Sequence, residues 1–521
     1  MKRSVAIILI VLLSVAAIAL VAGIGKGAMT VIDNFGDIFG STDKPGEDAS
    51  GANGPDLPSE RDTGLKFTDT EPIETEPLLP PINSGKLDFE DLELTILLPD
   101  TELYHREWYI ADVDKVYTLP EAIATRNEEV PDELGLKINY KYMPDDAVQF
   151  RDLVLNDILI GEHNYDIVLN QSSVMSQLAY RCALANLLDK EQFPYFEFEG
   201  AQWNASVTKN LTVNGKLYFN TGAFSTTMLD NISAMFVNMK LYESYRADGA
   251  PEFLQECAVE GKWTYEEMYR FITAFEGEKP GTLSLVIDND LSNNDVIQSF
   301  ATAFDTALMG DHGIVNNARA ESVLTRMREL YLTAGVSSDY GMEKFVEGES
   351  FFLMTKMYKD RESNLSMREM GLNFGLMPLP KYDEEQEQYK AVSMGGSFIG
   401  ILDHSKSDKQ TYALAVSAFA ERMAEASHEG IFGYYFNDVM KPKYFGDGVY
   451  PMPSIIAIFD TMINNIEFEF CNVYSAELGG IGDIWGEAYS NNKTLAQSYL
   501  DKQSEYEESL SKLDKFFGVS Q

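Results

Sequence analysis

From Leu92 to Asn170 the chain switches repeatedly between two periodicities, and few architectures accept such an order. "LELTILLP" (Leu92 to Pro99) is a short β-rich run, and "TLPEAIATRNEEV" has helical spacing. "LGLKINYKYMP" (Leu134 to Pro144) is β-rich again. "AVQFRDLVLNDILIGE" puts Phe150, Val154 and Ile158 on one helical face, and "YDIVLN" (Tyr165 to Asn170) closes the series as an apolar strand. Strand, helix, strand, helix, strand at this spacing predicts a parallel α/β sheet. Ligands of such sheets bind outside the carboxyl ends of the strands. That rule selects Asp100 and Thr101 after the first strand, and Asn170, Gln171, Ser172 and Ser173 at the third. The amides of Asn170 and Gln171 can donate to and accept from hydroxyls; Asp100 can grip two hydroxyls or cap a turn.

Further along, Asn214-Gly215 signals a turn before a strand at Lys216–Asn220; a polar loop and a second strand, Ile232–Asn238, follow. No long amphipathic helix separates these strands, so the chain is expected to leave one lobe for another here. Thr264 and Glu267 form a capping box for the next helix, and Trp263 sits where a hydrophobic staple reaches Met268, a structural rather than ligand-facing place. Helical patterns occupy Asp295–Leu308 and Ala320–Ala334. "EKFVEGESFFLMT" predicts a helix, a glycine turn and a buried strand at Ser350–Thr355. Two β-rich runs, "LNFGLMPLPK" and "YKAVSMGGSFIGIL", flank the acidic loop "YDEEQEQ"; the end is helical from about Ile484 to Phe517.

Length and charge narrow the class. The body after residue 90 holds about 430 residues, too many for one ordinary core, which suits two lobes. Acids outnumber bases 82 to 41, a net charge of −41. Nucleic acid and other polyanions would be repelled, whereas a neutral or cationic small ligand would not. Cys182, Cys257 and Cys471 lack CxxC spacing and are odd in number, which predicts buried free thiols, at most one disulfide and no metal site.

The amino terminus has its own logic. Lys2 and Arg3 precede an uncharged run from Ser4 to Gly25, which as a helix would span roughly 33 Å. That length crosses a bilayer core of about 30 Å, and the paired cations favour a cytoplasmic amino terminus. Two readings stand: a retained anchor, favoured because the apolar run continues past Ala17-Ile18-Ala19, or a signal peptide cleaved at that small-x-small site. Both export the remainder: held at the extracytoplasmic face of a bacterial membrane if the helix is retained, secreted if it is cleaved. Leu20-Val21-Ala22-Gly23 reads like a lipobox, but Ile24 stands where its cysteine would be. Residues 26–90 are rich in Gly, Pro, Ser and acid, a flexible tether with a reach on the order of 45 Å.

Taken in order, "YDIVLN…LANLLD", "NGKLYFNTGAF…AMFVNMKLYE", "WTYEEM", "FVEGESFFLM", "FGLMPLPK…MGGSFIGI" and the helix after it resemble the carbohydrate-type extracellular solute-binding proteins of ABC importers. The resemblance runs from about Leu92 to the carboxyl terminus; no single segment is specific, and the missing lipobox cysteine, the long tether and the expanded stretch "TELYHREWYIADVDKVYTLP" depart from it. It implies a two-lobed α/β periplasmic-binding-protein-like fold with a ligand cleft between lobes; the N-terminal membrane helix and disordered linker read above would precede it. The lobes would be residues 91–225 with 392–450, and 226–391 with 451–521. Crossings would fall near Asn220–Asn231, near Pro378–Met394 and near Tyr444–Pro453, with closure by hinge motion.

Sugars present apolar faces and rings of hydroxyls, so their sites need aromatic platforms and fixed polar groups. The family often places a cleft aromatic where Trp485 falls, with Gly479, Gly480 and Gly482 before it; the alternative is a core tryptophan. Tyr358 stands where the family has a stacking aromatic, or is a surface tyrosine. Thr221 and Phe224 lie in the first crossing; Gly395, Gly396 and Ser397 lie near the second, where missing side chains would admit a ligand to the backbone. "DNDLSNND" (Asp288 to Asp295) opens like a calcium loop but has Asn293 and Ser299 where glycine and glutamate are needed, so it reads as a polar helix-capping loop, with a place at the cleft rim also open. P-loop, HExxH and GxSxG motifs are absent, and no cofactor is expected. The expected function is capture of a small solute, a mono- or oligosaccharide, by a monomer that delivers it to ABC permease subunits. A glycan-acting enzyme and a transporter-independent sensor are the alternatives.

Overall fold

The computed structural model describes Pro80, Ile82 and residues 87–108, 119–245, 254–278, 281–289, 293–310, 313–314, 318–357, 372–403, 409–431, Tyr435, Ile458 and 460–519. The apolar run, the tether, Tyr358 and the Tyr444–Pro453 crossing lie outside the described residues. Among those described, no helix is long and apolar enough to cross a membrane.

The predicted alternation forms the first sheet. Strand β1 (Leu92–Pro99) lies between β2 (Leu136–Met143) and β3 (Ile167–Asn170), parallel to both, with Leu92 opposite Leu136 and Ile96 opposite Ile167. A central strand in a parallel sheet is covered on both faces, and Ile96 to Leu98 are accordingly buried without alternation. Helix α1 (Glu102–Trp108) follows β1; α2 (Leu119–Leu134) and α3 (Ala147–Ile160) complete the crossovers. Asp146 caps α3 by accepting from Val148 N and Gln149 N at 3.0 and 2.9 Å, and Gly161, at φ 73°, ends it. α4 (Ser172–Tyr180) leaves β3. Two antiparallel strands finish the sheet, β13 (Phe398–Ile401) against β3 and β4 (Phe219–Asn220) against β13. The strand order is β2-β1-β3-β13-β4.

The second sheet has the order β11-β5-β10-β6-β9, formed by Phe374–Met377, Ser233–Asn238, Ser350–Lys356, Leu283–Ile287 and Val336–Ser337. β10, β6 and β9 are parallel; β5 and β11 run antiparallel to their neighbours. Trp263 is fully buried before α6 (Tyr265–Glu278), and its indole N–H donates to Pro378 O at 3.0 Å. Thr264 Oγ1 accepts from Glu267 N at 3.3 Å, the expected cap. Helix α7 (Asn294–Ala303) follows β6, and α8 (Ala318–Leu332) precedes β9.

The chain leaves the first sheet after β4 and enters the second at β5, through a short helix, α9 (Thr226–Asp230), in what the sequence reads as a polar loop. It returns between β11 and β13 through residues 378–397. These two passages lie side by side: Ile232 bridges Ser393, Met394 N donates to Asn231 O at 3.2 Å, and Ser393 Oγ donates to Met228 O at 2.8 Å. Gly395 permits the approach, since a Cβ there would stand 2.9 Å from the Asn231 amide. Helix α10 (Lys409–Ala426) packs on α2, while α11 (Ile484–Ser490) packs on α7 and on the long α12 (Leu495–Phe517). Leu353, at the centre of β10, is fully buried. Leu353→Ala is expected to destabilise the body by about 2–5 kcal/mol, read as a lower urea midpoint at unchanged m-value.

Candidate functional site

The carboxyl ends of the second sheet enclose a cavity of about 320 Å³, near the lower bound of roughly 300 Å³ for small-ligand sites. Ile287 and Asp288 come from the end of β6, Met354, Thr355 and Lys356 from the end of β10, and Ser233 from the start of antiparallel β5. Asn289 follows β6, Asp295, Val296 and Ser299 belong to α7, and Met394 comes from the returning passage. The cavity therefore lies where the strand-end rule places ligands of such sheets.

Local bonding fixes the polar groups. Asn293 Oδ1 accepts from Asp295 N at 2.9 Å and starts α7, so "DNDLSNND" does cap a helix. Asp295 sits in the first turn, where the helix dipole favours a negative charge. Asp288 Oδ2 accepts from Thr355 Oγ1 at 2.8 Å, tying the ends of β6 and β10. Ser299 Oγ donates to Asp295 O at 2.7 Å and lies 3.0 Å from Ser233 Oγ. The apolar wall is Ile287, Val296, Met354 and Met394. Two carboxylates, an amide, an amine and three hydroxyls over aliphatic surface suit a hydroxyl-bearing ligand. No group of three or more metal-ligating side chains occurs among the described residues. A larger cavity of about 500 Å³ at the acidic loop is lined by charged and amide side chains, Asp305, Arg319, Asp383 and Lys390 among them, without an apolar wall.

Sequence reasoning applied the strand-end rule to the first sheet; of the second sheet's cavity residues it singled out only those of "DNDLSNND", as a helix-capping loop with a place at the cleft rim open. On the first sheet, Asp100 is exposed after β1, with its Oδ1 2.7 Å from His105 Nε2; His105 stacks on Tyr142, from β2, at 4.3 Å. Asn170 is buried, its Oδ1 accepting from Gln171 N at 2.8 Å, while the Gln171 side chain is exposed at the start of α4. The crossing residues come together, all buried. Thr221 Oγ1 donates to Ser397 O at 2.8 Å, and Phe224 packs between Trp108 and Trp203 at 5.8 and 6.0 Å. A Cβ on Gly396 would meet Met228 Cβ at 3.4 Å.

Trp485 is fully buried in α11. That helix touches the cavity wall at one remove: Gly486 N donates to Asn294 Oδ1 at 3.0 Å, and Asn294 Nδ2 donates to Gly482 O at 2.8 Å. Nearby, burial and the Glu487 carboxylate raise Asp483; Lys502 opposes this and Asp295 adds to it.

Beneath the crossings lies a group that sequence reasoning missed. Glu107, on α1, is fully buried. It accepts from Thr227 N, from Ser225 Oγ and Thr226 Oγ1 at 3.5 and 3.4 Å, and from Ser397 Oγ. Its own carbonyl accepts from Arg126 Nη2 and Asn127 Nδ2. Burial pushes the Arg126 guanidinium down to about 10, against the pull of Tyr140 and Glu107.

By sequence, neither a protein-family model nor a curated protein matches the chain. By structure it is similar to a class of sugar-binding proteins. The sugar-binding protein MalE from Xanthomonas citri aligns at TM-score 0.54 with 14% identity, over 82% of this chain and 100% of that one. A cyclic α-maltosyl-1,6-maltose binding protein from Arthrobacter globiformis aligns at 0.53 with 12% identity, over 82% and 100%. An uncharacterised protein from Listeria monocytogenes aligns at 0.53 with 12% identity, over 81% and 100%. The body thus has the MalE-like two-lobe α/β fold, as the sequence resemblance implies.

Burial raises Glu107 above the ordinary carboxylate value near 4.5; the bonds from Ser397 and Thr227 and the Arg126 charge oppose this without cancelling it. A raised folded-state value contributes stability that is complete below the unfolded value and lost as pH rises through the folded one. In urea titrations at successive pH values, the wild type's stability relative to Glu107→Gln should therefore decline from about pH 4.5 upward. A difference independent of pH would contradict this.

Proposed function

We propose that this chain is the extracytoplasmic solute-binding subunit of an ABC importer. It takes a small saccharide into the gap between two lobes, closes on it by hinge motion and presents it to permease subunits. The lobes are residues 91–225 with 392–450, and 226–391 with 451–521; the N-terminal apolar run holds the chain at the membrane, and the tether gives it reach. The work is binding without turnover, by a monomer. The observation that carries this reading is the polar cavity at the carboxyl ends of β6 and β10, which takes one wall residue, Met394, from the passage between the sheets. A ligand seated there touches both a strand-end site and a segment that must bend when the lobes move. The named solved relatives, a MalE and a cyclic maltosyl-maltose binding protein, support carbohydrate as the ligand class.

A thermal-shift screen of mono- and oligosaccharides tests the proposal. A ligand at 100 times its dissociation constant adds about 2.7 kcal/mol of stability, and the best sugar should raise the midpoint accordingly. Asp295→Ala and Asp288→Ala should each abolish the shift while the ligand-free midpoint changes little. No response to any sugar, or an undiminished shift in both variants, would remove saccharide binding at this cavity.

A further inference from the structure

We propose that Glu107 is a hinge-positioning residue: its carboxylate ties the two passages between the sheets into one unit, so that they bend together rather than separately. The part that concerns ligand rests on the solute-binding reading above; the coupling itself does not.

Glu107 belongs to neither passage. It rides on α1, in the expanded stretch where the sequence departs from its resemblance. One oxygen, Oε1, takes Thr227 N, Ser225 Oγ and Thr226 Oγ1 from the outgoing passage; the other, Oε2, takes Ser397 Oγ from the returning one. Ser225 Oγ also accepts from Ser397 N at 2.8 Å and from Met228 N at 3.2 Å, so the passages are bonded where they meet the carboxylate. The support is fixed from behind. Arg126 holds the Glu107 carbonyl and donates to Ser427 Oγ at 2.8 Å, and its guanidinium lies 5.4 Å from the Trp108 ring centroid.

Core filling does not require this residue. An apolar side chain would occupy the volume without a buried charge, which is costly unless fully bonded. A carboxylate is the side chain that offers several acceptor sites and no donor. Four donors converge here from two segments that are distant in sequence and that both link the sheets.

Amide hydrogen exchange on the full ligand-free chain tests the coupling through each passage. Ser397→Ala removes the returning passage's bond, and Thr226→Val removes one from the outgoing passage. Ser397→Ala should speed exchange roughly tenfold at residues 225–231, where no atom has been deleted, as well as at 393–397. Thr226→Val should do the reverse and reach 393–397. Adding Ser397→Ala to Glu107→Gln should bring no further change at 225–231, because glutamine keeps only one acceptor oxygen and can no longer accept from both passages. Loosening confined to the mutated passage, or effects that add in the double variant, would overturn the proposal; the two single hydroxyl deletions decide it even if Glu107→Gln does not fold. If a sugar is found, Glu107→Gln should reduce both its affinity and the compaction it causes in small-angle scattering. A chain that shows the exchange pattern but binds no sugar keeps the hinge residue and loses the carbohydrate reading.

Discussion

Where the chain passes between its sheets, two backbone segments lie against each other and bond: Ile232 with Ser393, Asn231 with Met394, Ser225 with Ser397. The arrangement of the sheets depends on this contact, because all five strands of the second sheet lie in sequence between the two segments. β13, which completes the first sheet, is reached only after the chain has built the second. The buried polar atoms of these segments have left water, so each needs a partner in the protein. Glu107 supplies four of those partners. The cavity adjoins the same segment through Met394.

Much of the fold was legible in the sequence, for reasons that particular segments make plain. β1 is the stretch read from "LELTILLP", and β10 extends the stretch read from "SFFLMT" by one residue, because a strand buried on both faces is a bounded apolar run that little else imitates. Trp263 was legible as structural because the Thr264 cap beside it is local in sequence. The short helix Thr226–Asp230 was not legible. Five residues cannot nucleate a helix alone; this one is held by its Ser225 cap and by a carboxylate from another part of the chain. Gly479, Gly480 and Gly482 show the ambiguity of glycine. Gly479 and Gly480 take positive φ, while a Cβ on Gly482 would stand 2.8 Å from Ser475 Oγ. Turn geometry and close packing account for them, and Trp485 behind them is fully buried.

The site was less legible than the fold. Strand ends mark a site only once the strands are paired. β6 and β10 are neighbours through a pairing between residues far apart in the sequence, which no local pattern discloses. "DNDLSNND" was visible as a polar loop, and the structure adds that its Asp288, Asn289 and Asp295 line a cavity with Thr355 and Lys356. Burial likewise cannot be read from residue type: Thr221 and Ser397 are polar, yet both are fully buried in the crossing.

Charge narrows what the cavity can receive. Asp288 and Asp295 both line it, within a chain of net charge −41. An anionic guest would meet two nearby carboxylates, whose repulsion acts over a few ångströms and is weakly screened in a recess. Lys356 offsets one of them. A ligand rich in hydroxyl donors meets acceptors instead, since each carboxylate can take two hydroxyls and the Ser233–Ser299 pair can turn to give or accept. The distant field selects in the same direction: it slows the approach of anions before any contact forms and leaves neutral solutes unaffected. Field and contact geometry therefore converge on an uncharged or cationic polyol, which is the chemistry that the aliphatic wall of Ile287, Val296, Met354 and Met394 can also cover.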